Sequence, residues 1–151
     1  MRRLTISVDD DLADTFDRFM HEKGYENRSE AFRDLVRNAL GSAGIQKGSA
    51  KYCVGALSYV YNHHERQLAS RLTNLHHAHH DLTVSTMHAH LDHENCLETV
   101  ILRGRTDQVI PFAESVIAQS GVRHGRFHPV PIEMDDTQSR QHRHVHARPS
   151  T

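Results

Sequence analysis

The sequence predicts an α+β protein in two parts, a short βαα unit followed by a ferredoxin-like βαββαβ domain. Three observations carry this. The opening "RLTISV" alternates apolar and polar residues and is followed by two helical stretches with capping residues. The Gly/Ser/Ala-rich "GSAGIQKGSAK" interrupts the pattern at residues 41 to 51. Beyond it, six periodic stretches read in the order βαββαβ, that of an antiparallel sheet with both helices on one face.

In the first unit, Leu4, Ile6 and Val8 alternate with Arg3, Thr5 and Ser7, the period of a half-buried strand. Asp9, Asp10 and Asp11 then supply a cap and favourable charge for a helix N-terminus. Leu12, Phe16, Phe19 and Met20 recur at helical spacing, and Gly24 suits the stop. A second helix starts near "NRSE", where Asn27 and Glu30 have capping-box spacing. Its apolar stripe is Phe32, Leu35, Val36, Ala39 and Leu40, and Gly41 is the expected end. A unit of about forty residues with one strand lacks a sufficient core, so it should dimerise through that strand. The resulting two-stranded ribbon would bury Leu4, Ile6 and Val8. It would present Arg3, Thr5 and Ser7 outward, and such a ribbon fits the DNA major groove. Free N–H groups at the second helix start, with Arg28 and Ser29, make a ready phosphate contact.

The boundaries expected are 1–42 for this unit, 43–51 for a flexible linker, 52–132 for the second domain, and 133–151 for a disordered tail. In the second domain "YCVGALSYVY" reads as a buried strand, and "HHERQLASRLTNLHH" as a helix with Leu68, Leu72 and Leu75 on one side. "DLTVSTMHAHLD" and "CLETVILRG" are strands around the turn "HEN". "TDQVIPFAESVIAQSG" is a helix ending at Gly121, with Pro111 early in it, and "VRHGRFHPVPI" is the last strand. The tail "EMDDTQSRQHRHVHARPST" has almost no apolar content, hence the expectation of disorder.

Composition narrows the function classes. Eighteen Lys and Arg against 19 Asp and Glu leave no global basic field, so DNA binding must come from local placement. No apolar run approaches the roughly 18 residues of a membrane span, and no secretory or transit pattern opens the chain, so a soluble cytoplasmic protein with no membrane partner is expected. Two cysteines are too few for a disulfide framework, which makes Cys96 beside histidines a candidate ligand.

The chemistry concentrates in "STMHAHLDHENC". His88 and His90, at i and i+2 on a strand, leave the same face roughly 6 to 7 Å apart at Cα, and a hairpin turn could bring Cys96 alongside. Imidazole and thiolate donors suit zinc, copper or nickel rather than magnesium or calcium. The "HHAHH" run can add a fourth ligand, with His76, His77, His79 and His80 all open to that role. His63 and His64 read as the opening of a helix, and His142, His144 and His146 as residues of a polar tail. The chain shows no nucleophile with a partnered base, no phosphate loop and no HExxH, so it is not expected to be an enzyme.

These pieces, "TISVDDDL", "KGYENRSEA", "LSYVY", "HHDL", "MHAH", "DHENCLE" and "GVRHG", resemble the nickel-responsive transcriptional regulators of the ribbon-helix-helix class from Arg3 to about residue 130. The resemblance implies a ribbon-helix-helix dimer joined to an ACT-like ferredoxin-fold domain that assembles a homotetramer, a dimer of dimers, on double-stranded operator DNA. It implies one Ni2+ per chain in a square-planar site of His88, His90 and Cys96 with His77 from a neighbouring subunit, and Glu98 supporting that shell. DNA contacts map onto Arg3, Thr5 and Ser7, and a second cation site onto Glu30 and Asp34. His76 stands where the family pattern has glutamine. The function so implied is a repressor that binds its operator when nickel is bound, controlling nickel uptake. Two other readings compete: a metal store, chaperone or metalloenzyme with a dimerising N-terminal unit, and an antitoxin-like DNA binder sensing a small molecule.

Overall fold

The structure, a computed structural model, describes residues 5–135, 138–139, 142–143 and 146–150. The chain divides into two units, Met1–Leu40 and Gly41–Thr151.

In the first unit α1 spans Asp10–Lys23, and the Asp9 carboxylate accepts the Leu12 N–H at 2.8 Å. Gly24 closes α1 in the left-handed region, φ 74°, where a side chain would be strained. α2 spans Arg28–Gln46, and the Asn27 side chain accepts the Glu30 N–H at 2.9 Å. Residues 5–9 carry no regular secondary structure, although a strand is expected there. The physical reason is the one that predicted dimerisation: a two-stranded ladder needs a second strand, and the unit contains one. Ile6, Val8, Leu12, Leu35 and Leu40 are exposed, an apolar surface that one chain leaves uncovered.

The second helix does not stop at Gly41. α2 continues through "GSAGIQ", and the left-handed glycine beyond it is Gly48, φ 66°. One glycine costs a helix about 1 kcal/mol relative to alanine. That is too little to end it when Ala43 continues the pattern and Ile45, itself part of the second unit, packs on that unit's own apolar core. The expected linker of 43–51 therefore shortens to the residues after Gln46.

The second unit has β1 (Tyr52–Asn62), α3 (Arg66–Ala78), β2 (Thr83–His90), β3 (Asn95–Arg105), α4 (Thr106–Ile117) and β4 (Arg123–Asp135). The strand order β2-β3-β1-β4 is fully antiparallel, as the βαββαβ reading requires. Alternation along β1 buries Cys53, Leu57, Tyr59 and Tyr61 against Leu68 and Leu72 of α3 and Val109, Phe112 and Val116 of α4. Each such aliphatic side chain contributes roughly 1.5–3 kcal/mol relative to exposure. Both helices thus cover the odd-numbered face of β1, and that face leads to the histidines.

The tail expectation is corrected in part. Residues 133–135 extend β4; two short strands follow, β5 (Gln138–Ser139) and β6 (His142–Arg143); and β7 (His146–Pro149) pairs antiparallel with β4. The register runs from Ile132↔Pro149 to Asp135↔His146, and Ser150 N–H donates to the Pro131 carbonyl at 3.0 Å. Composition misjudged this segment because a strand added to an open edge is held by backbone groups and needs few apolar side chains. Residues 136–137, 140–141, 144–145 and 151 lie outside the described residues.

Candidate metal centre

The β2–β3 hairpin builds the site by register. His90 stands opposite Cys96 and His88 opposite Glu98, while on the other side of β3 Cys96 faces Tyr61 and Glu98 faces Tyr59. Two rows result, His90–Cys96–Tyr61 and His88–Glu98–Tyr59, with all six side chains on one face because paired residues share a face. β2 is the edge strand, so His88 and His90 are exposed where Cys96 is fully buried. Burial pushes the Cys96 thiol up from its ordinary value, with the nearby Glu98 and Asp92 charges adding to it. The Cys96 Sγ lies 3.4 Å from His90 Nδ1.

Glu98 is the hub of the second row. Its carboxylate accepts the Tyr59 hydroxyl at 2.8 Å and the Tyr61 hydroxyl at 3.2 Å, and His88 Nδ1 lies 3.4 Å away. Burial first, and the Glu98 charge second, raise both phenols, Tyr61 to about 12. Both phenols therefore stay protonated donors. A carboxylate on one imidazole nitrogen orients the ring and leaves the other nitrogen free for an ion, the usual arrangement behind a metal-bound histidine.

The turn that sets this register is itself held. Asp92 accepts N–H bonds from Glu94 at 2.8 Å and Asn95 at 2.7 Å, and the Asn95 side-chain amide at 2.8 Å. The Asn95 side chain, then the Asn95 and Glu94 backbone N–H groups, hold the carboxyl down at about 2. A depressed carboxyl stabilises the fold above its ordinary pKa of about 3.9 and loses that contribution as pH falls through the folded value. The Asp92 carboxyl should thus titrate near 2 by NMR, and Asp92→Ala should speed amide exchange at Glu94 and Asn95. A midpoint near the ordinary value would show that the turn is not so held.

His77 lies exposed on the last turn of α3. With His76, His80 and Glu98 it lines a cavity of about 410 Å³. His76 places Nε2 3.1 Å from the Tyr59 hydroxyl, while its buried Nδ1 has no hydrogen-bond partner. Burial lowers the His76 pKa, against the pull of Glu98, which favours a neutral ring.

The residue that sequence reasoning missed is His63. It does not open α3, which starts at Arg66. Its N–H donates to the Glu94 carbonyl at 3.1 Å, and its Nδ1 lies 3.0 Å from Cys96 Sγ. Among the described residues His63, His90 and Cys96 form a group whose donor atoms all lie within 4.8 Å. The signal was parity: Tyr59 and Tyr61 point to the site face, and His63 continues their series. The donor chemistry, imidazole with a thiol that an ion can deprotonate, fits a borderline-to-soft divalent metal such as nickel.

The candidate DNA residues lie in the first unit. Thr5 and Ser7 are exposed, as is Ser29, and Arg3 lies outside the described residues. Arg28 makes a bidentate pair with Asp17, Nε to Oδ1 at 2.8 Å and Nη2 to Oδ2 at 2.5 Å. A phosphate would have to compete with that carboxylate for its guanidinium. Glu30 pairs with Arg33, and Asp34 accepts from the Tyr25 hydroxyl at 3.2 Å and faces Arg37 at 3.6 Å. No helix among the described residues is long and apolar enough to cross a membrane.

Comparison with known proteins places both units. Residues 2–42 match the ribbon-helix-helix proteins of the copG family, and residues 54–130 match the NikR C-terminal nickel-binding domain. The chain is 50% identical over 132 residues to the "Nickel-responsive regulator" of Brucella abortus biovar 1, covering 87% of this chain and 100% of the relative. The same figures hold for the "Nickel-responsive regulator" of Brucella suis biovar 1, and the relative from Brucella melitensis biotype 1 is 49% identical over the same length. With both domains matched in order, the chain belongs to the family of nickel-responsive regulators, which are transcription regulators and not enzymes.

Proposed function

We propose that this protein is a repressor whose grip on operator DNA depends on nickel, and that it acts in the cytoplasm as a dimer of dimers to control nickel uptake. The observation that carries the reading is the in-register pair of rows, His90 opposite Cys96 and His88 opposite Glu98, on an exposed edge strand. His88, His90 and Cys96 hold the ion with His77 of a second subunit, and Glu98 orients His88. The ion, when bound, supplies a point of ligation shared between subunits, which is how it would favour one assembly over others. The exposed apolar residues of the first unit support pairing of two chains there, with Arg3, Thr5 and Ser7 on the ribbon and Arg28 and Ser29 toward phosphate. Glu30 and Asp34, one helical turn apart on α2, are the proposed second cation site.

Metal acts on DNA affinity only through states that bind it differently, and couplings of this kind run from about 5-fold to 150-fold. The test is a gel shift on a duplex selected by the protein from a random pool, at fixed salt, with nickel, zinc or no added metal. Nickel should tighten binding within that range, and His88→Ala should remove the nickel effect. Arg3→Ala should weaken DNA binding while leaving nickel stoichiometry unchanged. Operator affinity indifferent to nickel would end this reading, and nickel binding without selectable DNA would favour a metal store.

A further inference from the structure

We propose that His63 is a metal ligand supplied from within the chain, completing with His90 and Cys96 a three-donor set that captures the ion before a second subunit closes the site. This rests on the reading of the β2–β3 hairpin as the metal centre, and adds to it a first holding position.

The geometry points to His63 on several grounds. Its Nδ1 is nearer Cys96 Sγ, at 3.0 Å, than is His90 Nδ1, at 3.4 Å. With metal–nitrogen and metal–sulfur bonds of about 2.0 and 2.3 Å, two donors on one ion stand about 3.0 Å apart at a right angle and about 3.5 Å apart at a tetrahedral angle. Both observed separations fall in that interval, so each imidazole already stands at a distance from the sulfur that one shared ion would set. The ring is also held in place. Its backbone N–H is tied to the Glu94 carbonyl across the hairpin end, and the ring meets His90 edge-on at 5.5 Å between centroids and His64 at 4.2 Å. His88 lies beside the set, 5.0 Å from His90 between centroids.

The plain alternative is a hydrogen bond between the thiol and His63 that only positions Cys96. The two differ in consequence. If His63 ligates, His90 and Cys96 belong to two overlapping sets, one contained in a single chain and one that needs His77 of another. Metal uptake is then independent of assembly, and exchange of His63 for His77 converts a loaded chain into an assembled one. If His63 only positions the thiol, capture before assembly falls to His88, His90 and Cys96 alone and does not depend on the ring at residue 63.

The test uses the full chain as wild type, His63→Ala, His77→Ala and the double variant, with His63→Gln as a ring-sized control and circular dichroism to verify folding. Cobalt(II) and nickel(II) are titrated separately, following thiolate-to-metal charge-transfer absorption, metal per chain, and assembly state by sedimentation. His77→Ala should keep a one-to-one complex with a thiolate band. The double variant should bind at least about tenfold more weakly, since even loss of a group behind a ligand costs about 10- to 100-fold. In stopped flow His63→Ala and His63→Gln should both slow uptake. Equal affinity of His77→Ala and the double variant, or uptake by both His63 variants at the wild-type rate, would overturn the proposal. A His63 effect on uptake in a protein whose DNA affinity ignores nickel would support it while removing the repressor reading, so the two fail separately.

Discussion

Cys96→Ala is expected to abolish the nickel response of operator binding while leaving the fold in place. The cysteine is fully buried and lacks a disulfide partner, so truncation removes one sulfur from a packed sheet, a cavity about the size of a methyl group that costs about 1 kcal/mol. The metal loses far more. Structural zinc sites of four ligands bind with about 10–16 kcal/mol, so one ligand in four stands for about 3 kcal/mol, or roughly a hundredfold in affinity. The thiolate is also the softest donor of the set, and the change removes it without an imidazole to replace it. Nickel affinity by equilibrium dialysis should fall by about that factor, and the nickel-dependent gel shift should vanish at concentrations that saturate the wild type. Cys53 supplies the control. It is equally buried on β1, but stands opposite Gly104 and Pro131, at the far end of the sheet from Cys96. Cys53→Ala should carry the packing cost and keep the nickel response. If both variants respond to nickel alike, the thiolate is not a ligand.

How far the sequence disclosed this arrangement depended on whether the deciding physics was local. The caps of α1 and α2 were legible because Asp9 and Asn27 act within three residues of themselves. The shared face of His88 and His90 followed from the two-residue period of a strand, and the βαββαβ order from four stretches of strand period and two of helical period in sequence. The end of α2 was not legible, since Gly41 is a local signal overruled by helix continuation and by Ile45 packing on a core assembled from distant strands. His63 was missed because its meaning lies in where β1 ends relative to a hairpin more than thirty residues later, with Cys96 at 3.0 Å. The pair "HH" before "ERQL" looked like a helix start, yet parity with Tyr59 and Tyr61 was the better guide. The β7 pairing was hidden for a related reason: nothing in a polar tail announces that β4 leaves an edge for it.

The largest effect on stability is expected at Gly55, where replacement by alanine should disrupt the junction of β1 and β4. Gly55 sits on the core face of β1, opposite Pro129 of β4 and Leu102 of β3. A Cβ there would come within 2.5 Å of the His128 carbonyl oxygen and 2.7 Å of the Phe127 ring. The ring lies over the glycine from the neighbouring strand, a close approach that only the missing side chain permits. A carbonyl in a paired strand cannot swing aside as a side-chain terminus can, so the two strands must part or shift. Overpacking in a core typically costs about 1–3 kcal/mol, and a backbone collision belongs at or above the top of that range. For a domain of this size that corresponds to a fall in thermal midpoint of about ten degrees. Phe127→Leu separates the two collisions. If the ring were the whole obstacle, Gly55→Ala with Phe127→Leu would be no less stable than Phe127→Leu alone. Because the carbonyl remains, the double variant should still melt several degrees below that single variant, and full recovery would show that the backbone is free to yield.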